Sequence, residues 1–174
     1  LISFLQVYGF IHPNRPIGHR MDKKDAEILA ALQKDGRLSN VDRAAKVALA
    51  PSPCFRRVRR LEEDGIVTGY RAVLDRKKAG LGLTVFVEIK VAQHSADNAE
   101  RLQAALLNMP EVVSCHMVSG AADFLAEIAV ADLDAYERLL SEKLLTLPMV
   151  QDIRSNFSLR RIKSEAPLPV EAGR

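Results

Sequence analysis

The stretch of sequence that decides the fold runs from residue 49 to residue 65 and reads LAPSPCFRRVRRLEEDG. Two prolines and a serine precede a run in which four of five residues are arginine, and acidic residues and Gly65 come after it. Ser52 is a suitable helix N-cap, and Pro53 suits the first helical position, where its missing N–H costs nothing. The pattern predicts a helix that continues to Glu63 or Asp64 and ends at Gly65.

The spacing within this helix separates apolar from charged residues. Phe55, Val58 and Leu61 recur every three residues and are predicted to form a buried stripe. The remaining surface is predicted to expose the four arginines: Arg56, Arg57, Arg59 and Arg60. The N-terminal half of a helix has free N–H groups and a positive dipole end, so this half would approach phosphates and base edges.

Two shorter helical patterns precede the arginine-rich one. Residues 22–35 place Ile28, Leu29 and Leu32 on one face, which predicts an amphipathic helix ended by Gly36. Ser39 is a good N-cap for a second short helix that reaches Val47.

Three short helices of which the third is basic predict a helix-turn-helix that binds DNA. Residues 66–75 alternate enough to predict a small strand or wing. The alternative interpretation is a surface helix on which the arginines are merely solvated, but it does not require the cap, the proline or the two preceding helices.

The pattern changes after residue 83. A half-buried strand is predicted at 84–91, then a helix at 97–109, strands at 112–118 and 124–130, a helix from Asp132, and a strand at 150–159. The motifs LLNMPEV at 106–112 and LLTLPMV at 144–150 repeat one helix-to-strand joint. The order βαββαβ with a repeated joint predicts a ferredoxin-like fold, and its open sheet face predicts a face-to-face dimer.

Composition and charge bound the remaining possibilities. The chain is 48% apolar and 27% charged, as in an ordinary globular protein. Residues 21–80 hold 14 Lys/Arg against 9 Asp/Glu, and residues 81–163 hold 8 against 11, so an anionic partner is expected for the front half only. The two cysteines, Cys54 and Cys115, provide neither a disulfide framework nor a metal site, and they suit the reducing cytoplasm. No apolar run is long enough for a membrane helix.

The first 20 residues differ in pattern from the rest of the chain. Their apolar stretch lacks a basic start and a signal-peptidase site, so a signal peptide is not expected. We expect the native chain to start at Met21, with an extra strand or arm as the alternative.

Both halves resemble the Lrp/AsnC family of bacterial and archaeal transcription regulators over about residues 22–163. The similarity rests on LQKDGRLSN at 32–40, SPCFRRVRRLEEDGIVTGY at 52–70, VFVEI at 85–89, VSGAADFL at 118–125 and LLTLPMV at 144–150. It implies an α+β protein: an N-terminal winged helix-turn-helix followed by a ferredoxin-like βαββαβ (RAM-type) effector and dimerisation domain. It also implies dimers that assemble into tetramers, octamers or larger oligomers and that control amino-acid metabolism genes.

The expected organisation is an extension at 1–20, a DNA-binding domain at 21–70, a linker at 71–83, a ligand-binding and oligomerisation domain at 84–163, and a tail at 164–174. The residues expected to contact double-stranded DNA are Ser39, Asn40, Ser52, Pro53, Arg56, Arg57, Arg59 and Arg60.

A second site is expected in the turn at 118–125. There the Asp123 carboxylate would meet the ammonium of an amino-acid effector, and turn amides would meet its carboxylate. The residues expected at this site are Met117, Ser119, Gly120, Ala121, Ala122 and Asp123. Ordinary turn chemistry is the alternative interpretation. Ala121 and Ala122 depart from the commoner family pattern, in which an acidic and an aromatic residue often precede the aspartate, so the effector's identity stays open.

Two other functions share this fold or surface. Siroheme decarboxylases resemble the same two-domain fold, and His94 and His116 are the only histidines available in the sheet domain. The sequence contains no nucleophile–base pair, Gly-rich phosphate loop or metal-ligand spacing, so neither catalysis nor a cofactor is expected. A DNA-packing protein that has no effector is the third possibility.

Overall fold

The computed structural model describes residues 20–92, 95–164 and 166–172. The predicted extension lies, except for Arg20, outside the described residues. The chain forms two compact units. One ends at Val73 and also includes the tail from Lys163 onward, and the other is Leu74–Ile162. None of the described helices is long and apolar enough to cross a membrane.

The first unit contains three helices: α1 (Lys23–Lys34), α2 (Asn40–Lys46) and α3 (Pro51–Glu63). Helix α1 begins with a capping box, in which Asp22 and Asp25 each accept a hydrogen bond from the other's backbone N–H. It ends at Lys34, two residues before Gly36. Gly36 instead makes room for Tyr70, because a Cβ at this position would lie 3.3 Å from the Tyr70 ring.

Helices α2 and α3 join in a tight turn. The N-cap predicted at Ser39 is confirmed, since its hydroxyl accepts the Asp42 amide. The predicted start of α3 was wrong: Pro51 is the first helical residue, and Ala50 is an N-cap without a side-chain bond. Both Pro51 and Pro53 therefore lie in the first turn, where backbone N–H groups have no intrahelical partner and proline is tolerated.

The buried face of α3 also differs from the prediction. Cys54, Val58 and Leu61 are buried, whereas Phe55 is 50% exposed. The i, i+4, i+7 spacing of the buried three keeps them on one helical face more closely than an i, i+3, i+6 series does. They pack against Ile28, Leu29, Leu32, Ala44 and Val47.

The end of α3 agrees with the prediction, although no strand follows it within residues 66–75. Gly65 adopts a left-handed φ of 71°, and its N–H donates to Glu62 O while the Ile66 N–H donates to Leu61 O. This is a Schellman motif, and it confirms the predicted stop at Gly65. Residues 66–75 contain no strand, and the Ile66 and Val67 amides both donate to Leu61 O.

One carboxylate fastens α3 to α1. Asp25 is fully buried. Arg57 Nη1 lies 2.8 Å from Asp25 Oδ1 and 2.7 Å from Asp22 Oδ2. Arg60 Nη2 lies 3.0 Å from both oxygens of Asp25. Arg57 and Arg60 therefore bridge two helices instead of pointing freely into solvent as predicted.

The second unit has the predicted order of elements: β1 (Leu83–Val91), α4 (Ala96–Leu107), β2 (Val112–Met117), β3 (Phe124–Val130), α5 (Leu133–Leu139) and β4 (Val150–Phe157). A π-helical turn at Leu140–Leu144 extends α5. The strands form one antiparallel sheet in the order β2-β3-β1-β4. This order confirms the ferredoxin-like fold.

The repeated joint is the same in both halves of this unit. The Val112 amide donates to Met109 O, and the Val150 amide donates to Leu147 O, each at 3.0 Å. Each turn contains a proline, Pro110 or Pro148, and leads from a helix directly into a strand. The similarity of the two sequence motifs is therefore a similarity of backbone structure.

The sheet is buried on the face that its helices cover. Val85, Val87, Ile89 and Val91 are all at most 3% exposed, as their alternation predicted. On the other face of β1, Phe86 is 39% exposed. The helices contribute Leu102, Leu106, Tyr136, Leu139 and Leu144 to the core.

We expect Asp25→Ala to lower the free energy of unfolding of the first unit by about 3 kcal/mol, since removing one partner of a buried ion pair leaves the remaining charges without compensation. Asp42→Ala on α2 is the matched control; it removes an exposed carboxylate that also lies near a helix start. Urea unfolding followed by circular dichroism measures both. Equal effects of the two substitutions would contradict a central role for Asp25.

Candidate nucleic-acid interface and effector loop

The exposed face of α3 carries two of the four arginines. Arg56 and Arg59 are exposed, and Phe55 lies beside them. Arg59 makes a 3.5 Å ion pair with Glu63, and both side chains are about two-thirds exposed, at 64% and 66%. Such an exposed pair contributes little to stability, so a phosphate can displace Glu63 from Arg59. The outward cationic face of this helix is therefore Arg56 and Arg59.

The other two arginines are held by carboxylates. Arg57 and Arg60 have side-chain exposures of 27% and 34%. Hydrogen bonds to Asp25 and then Asp22 raise the pKa of Arg57 above its ordinary value. The pKa of Asp22 lies below its ordinary value, chiefly because its carboxylate accepts the backbone N–H of Asp25 and also because Arg57 donates to it. Arg57 and Asp22 therefore stay charged, and the contacts of Arg57 and Arg60 with Asp25 fix the orientation of α3 on α1.

The residues predicted at the helix starts lie where the two helices of the motif meet. Asn40 Nδ2 donates to Pro51 O at 2.9 Å and so links the first turn of α2 to the first turn of α3. Ser39 and Ser52 are exposed, and Pro53 is half-buried. Ser39 Oγ also donates to Asp42 at 2.6 Å, which leaves it engaged in capping α2. These N-terminal ends and the Arg56–Arg59 face belong to one unit.

The loop between β2 and β3 is pinned at Asp123. The Val118 amide donates to Asp123 O at 2.9 Å and closes the turn. The Asp123 amide donates to Ile89 O at 3.0 Å, and the Val91 amide donates to Asp123 Oδ2 at 2.9 Å. The Asp123 carboxylate is therefore held beside a backbone N–H at the end of β1, as expected for a carboxylate in this turn.

The tip of this loop is open. Ser119, Gly120 and Ala121 are exposed, and Met117 and Ala122 are half-buried. Gly120 has a φ of 130°, which L side chains rarely adopt, and a Cβ there would meet no atom within 4 Å. The glycine is thus required by the backbone and not by a close neighbour. The structure places all six predicted effector residues together at this end of the sheet.

Sequence reasoning missed a cavity at the opposite end of β3. It has a volume of about 360 Å³ and is lined in part by Leu81, Val130 and Leu139. Lys143 and Glu111 close one side through a 2.7 Å ion pair, and this hydrogen bond lowers the pKa of Glu111. No sequence signal could identify this cavity, because separate elements and the segment before β1 form its wall.

Little in the described part of the chain suggests catalysis. His116 is exposed on the edge strand β2, and His94 lies outside the described residues. Within the described ranges, no group of three His, Cys, Asp or Glu residues is arranged to hold a metal ion. Cys115 lies on the same strand, and burial raises the pKa of its thiol, which makes the reactive thiolate less abundant.

Comparisons with known proteins match both units. Residues 21–68 match the winged helix-turn-helix DNA-binding family, and residues 84–168 match the Lrp/AsnC ligand binding domain. The leucine-responsive regulatory protein of Salmonella typhimurium is 42% identical over 154 residues, which cover 88% of this chain and 94% of that protein. The protein of the same name from Escherichia coli K12 is 41% identical over the same coverage.

Solved structures agree with these relatives. A transcriptional regulator from Neisseria meningitidis, in complex with L-Met, has a TM-score of 0.82 and 39% identity; the match covers 86% of this chain and 96% of that one. An AsnC family transcriptional regulator from Agrobacterium tumefaciens has a TM-score of 0.81 and 36% identity and covers 86% and 97% of the two chains. A helix-turn-helix unit with an outward arginine face, a ferredoxin-like unit, and relatives that match nearly end to end lead to one conclusion: the chain belongs to the Lrp/AsnC family of DNA-binding transcriptional regulators, with a ligand-binding domain after the helix-turn-helix.

Proposed function

We propose that this regulator recognises specific double-stranded DNA sites, responds to an amino acid, and controls genes of amino-acid metabolism in the cytoplasm. The observation that carries this proposal is the outward pair Arg56 and Arg59 on a helix whose other arginines are bound internally. The effector half of the proposal draws on the L-Met complex of the Neisseria meningitidis relative and on the pinned carboxylate of Asp123.

The DNA contacts divide into two roles. Arg56 and Arg59 contact phosphates or base edges directly, because they are exposed and at most weakly paired. The starts of α2 and α3 add backbone donors at Ser39, Asn40 and Ser52 and the exposed hydroxyl of Ser52, while Pro53, which has no N–H, contributes position only. Arg57 and Arg60 position the helix through Asp25. Of the four arginines first predicted to contact DNA, two therefore act through the fold.

Replacing Arg56 and Arg59 together with alanine should flatten the slope of log K against log salt by roughly two units, because each cation lost at a phosphate releases about one fewer counterion. The measurement is fluorescence anisotropy of a duplex selected with the parent chain, at several salt concentrations. The matched control is Lys77→Ala with Lys78→Ala, which removes the same charge from exposed positions outside α3. If both double variants change the slope equally, the arginine face acts only as diffuse surface charge.

The effector site is the loop at Ser119–Asp123 with Met117 beside it. An ammonium group would meet the Asp123 carboxylate, while the open turn around Gly120 offers amide donors to a carboxylate. Half-buried Met117 and Ala122 leave a small apolar surface next to these charges. A zwitterion with a modest apolar side chain fits this combination. Thermal-shift screening of the twenty amino acids, starting with methionine, would identify which one binds, because a ligand of the native state raises the melting temperature.

The variant Asp123→Asn separates charge from structure. Asparagine keeps an oxygen that can accept the Val91 amide, but it loses the negative charge that would bind an ammonium. Effector affinity should fall roughly tenfold to a hundredfold, as expected for a hydrogen bond to a charged group. DNA binding without effector should persist because the DNA-contacting residues are in the other unit. Isothermal titration calorimetry and gel shifts measure the two effects.

Asp123→Ala is the structural control, since it removes both the charge and the acceptor and should also lower the melting temperature. Unchanged effector affinity in Asp123→Asn would mean that Ser119–Asp123 is ordinary turn chemistry. If none of the amino acids binds the parent chain, a DNA-packing role without an effector becomes the better description.

The sheet unit is also proposed to assemble the protein into dimers and larger oligomers. The face of β1 that carries Phe86 is opposite the face that carries the buried Val85 and Val87, and Phe86 is 39% exposed. A second copy placed on this face would bury Phe86 and bring two DNA-binding units together. The DNA sites of such a dimer would have two half-sites about one helical turn, or a multiple of it, apart.

Phe86→Asp in the full chain should convert the oligomer to a smaller species, because a charge in an apolar interface is costly to desolvate. Leu133→Asp is the control, since Leu133 is 60% exposed on α5, on the covered side of the sheet. Light scattering at micromolar concentration compares the masses. A monomeric parent chain, or equal masses for parent and Phe86→Asp, would refute this dimer.

A further inference from the structure

The C-terminal tail docks on the first helix of the DNA-binding unit. Gln33 on α1 pairs its side-chain amide with the backbone of Leu168: Leu168 N donates to Gln33 Oε1 at 2.6 Å, and Gln33 Nε2 donates to Leu168 O at 3.2 Å. The pair spans 135 residues of sequence. A side-chain amide that bonds both the N–H and the C=O of one residue recognises an extended backbone, much as a neighbouring strand does.

An apolar contact lies next to this pair. Val170 is half-buried and packs against the core of Ile28, Leu29 and their neighbours, whereas the Leu168 side chain is 71% exposed. Leu168 and Val170 face different ways because the Val170 amide donates to Leu168 O at 2.9 Å and closes a tight turn centred on Pro169. Pro167 and Pro169 flank Leu168. Prolines favour an extended backbone and lose less conformational entropy on docking than other residues.

We propose that residues 167–170 are a strap: a proline-rich segment that docks on α1 at Gln33 and completes the core of the DNA-binding unit with Val170. The surface of α1 at Gln33 is thus a binding surface, and the occupant that fits it is the tail of this chain. Because the tail continues from β4, the chain passes between the two units twice, from Val73 to Leu74 and from Ile162 to Lys163, rather than once.

The second connection limits the freedom of the DNA-binding unit. Phe157 and Leu168 are eleven residue steps apart along the chain, a stretch that spans at most about 40 Å when fully extended. A unit connected at both ends explores fewer orientations than one connected only where Val73 leads into Leu74. When two such units must engage two half-sites together, this restriction raises the effective concentration of the second unit after the first has bound. This last step rests on the proposed dimer, whereas the docking itself does not.

Hydrogen exchange at the Leu168 amide tests the docking directly. Both neighbours are prolines and have no amide, so the Leu168 signal is isolated. Its exchange should be slowed about tenfold or more in the parent chain. Val170→Asp should abolish this protection, because it places a carboxylate against the core, and Gln33→Ala should abolish it by removing both hydrogen bonds. Leu168→Asp is the matched control: it makes the same kind of change two residues away, on the exposed side of the strap, and should retain protection.

Gln33→Ala should leave α1 folded, because alanine is the best helix former and Gln33 is exposed on α1. Loss of Leu168 protection in this variant would therefore not be caused by misfolding. Exchange at the α1 amides should remain slow in this variant. An unprotected Leu168 amide in the parent chain would overturn the strap. So would protection that survives both Val170→Asp and Gln33→Ala.

DNA binding tests the consequence. Val170→Asp and Gln33→Ala should bind a duplex with two half-sites roughly threefold to tenfold more weakly than the parent chain, while affinity for a single half-site stays within about twofold. Leu168→Asp should have the same affinity as the parent chain for the two-half-site duplex and for the single half-site. If Val170→Asp and Gln33→Ala bind the two-half-site duplex as tightly as the parent chain does, the strap does not restrain the DNA-binding unit. If the parent itself gains nothing from a second half-site, the proposed dimer fails while the exchange result on the strap still stands.

Discussion

Asp25 is fully buried and accepts hydrogen bonds from Arg57 and Arg60, and the arrangement of the DNA-binding unit depends on this one carboxylate. A buried charge without partners would cost several kcal/mol, so its presence requires cations that reach it. Two arginines of α3 satisfy the requirement, and this sets the rotation of α3 about its own axis. The same rotation buries Cys54 and turns Phe55 outward. The choice of residues on the exposed face of α3 therefore follows from the contacts of Arg57 and Arg60 with Asp25.

The same physical device recurs in the sheet unit. Asp123 accepts the backbone N–H of Val91, so a carboxylate at the edge of a candidate site is also part of the fold. In both units a charged group that sequence reasoning assigned to a partner is engaged, at least in part, within the chain. Each of these side chains has a structural role besides the partner proposed for it, which is why charge-preserving or shape-preserving variants are needed to separate the two roles.

Several features arise from local chemistry and were predictable. Ser39 caps α2, Gly65 ends α3 in a Schellman motif, and alternation in β1 placed Val85, Val87 and Ile89 in the core. The two proline-containing joints were visible as similar motifs and prove to have the same backbone hydrogen bond. Each of these features depends on residues close in sequence, and the spacing of those residues determines the local backbone geometry.

The sequence by itself determined the order of helices and strands, the family, and the position of a basic helix, because periodicity, caps and turns act over a few residues. Tertiary structure alone decided which arginines face outward, because ion pairs to Asp25 join residues 32 and 35 positions apart. It also decided that 66–75 forms no strand, since a strand needs a partner that the sequence does not name. The docking of Val170 and Leu168 on α1 was equally invisible, for a contact across 135 residues leaves no local pattern. Long-range contacts form between surfaces that local structure leaves exposed. They can therefore be identified only in the folded chain.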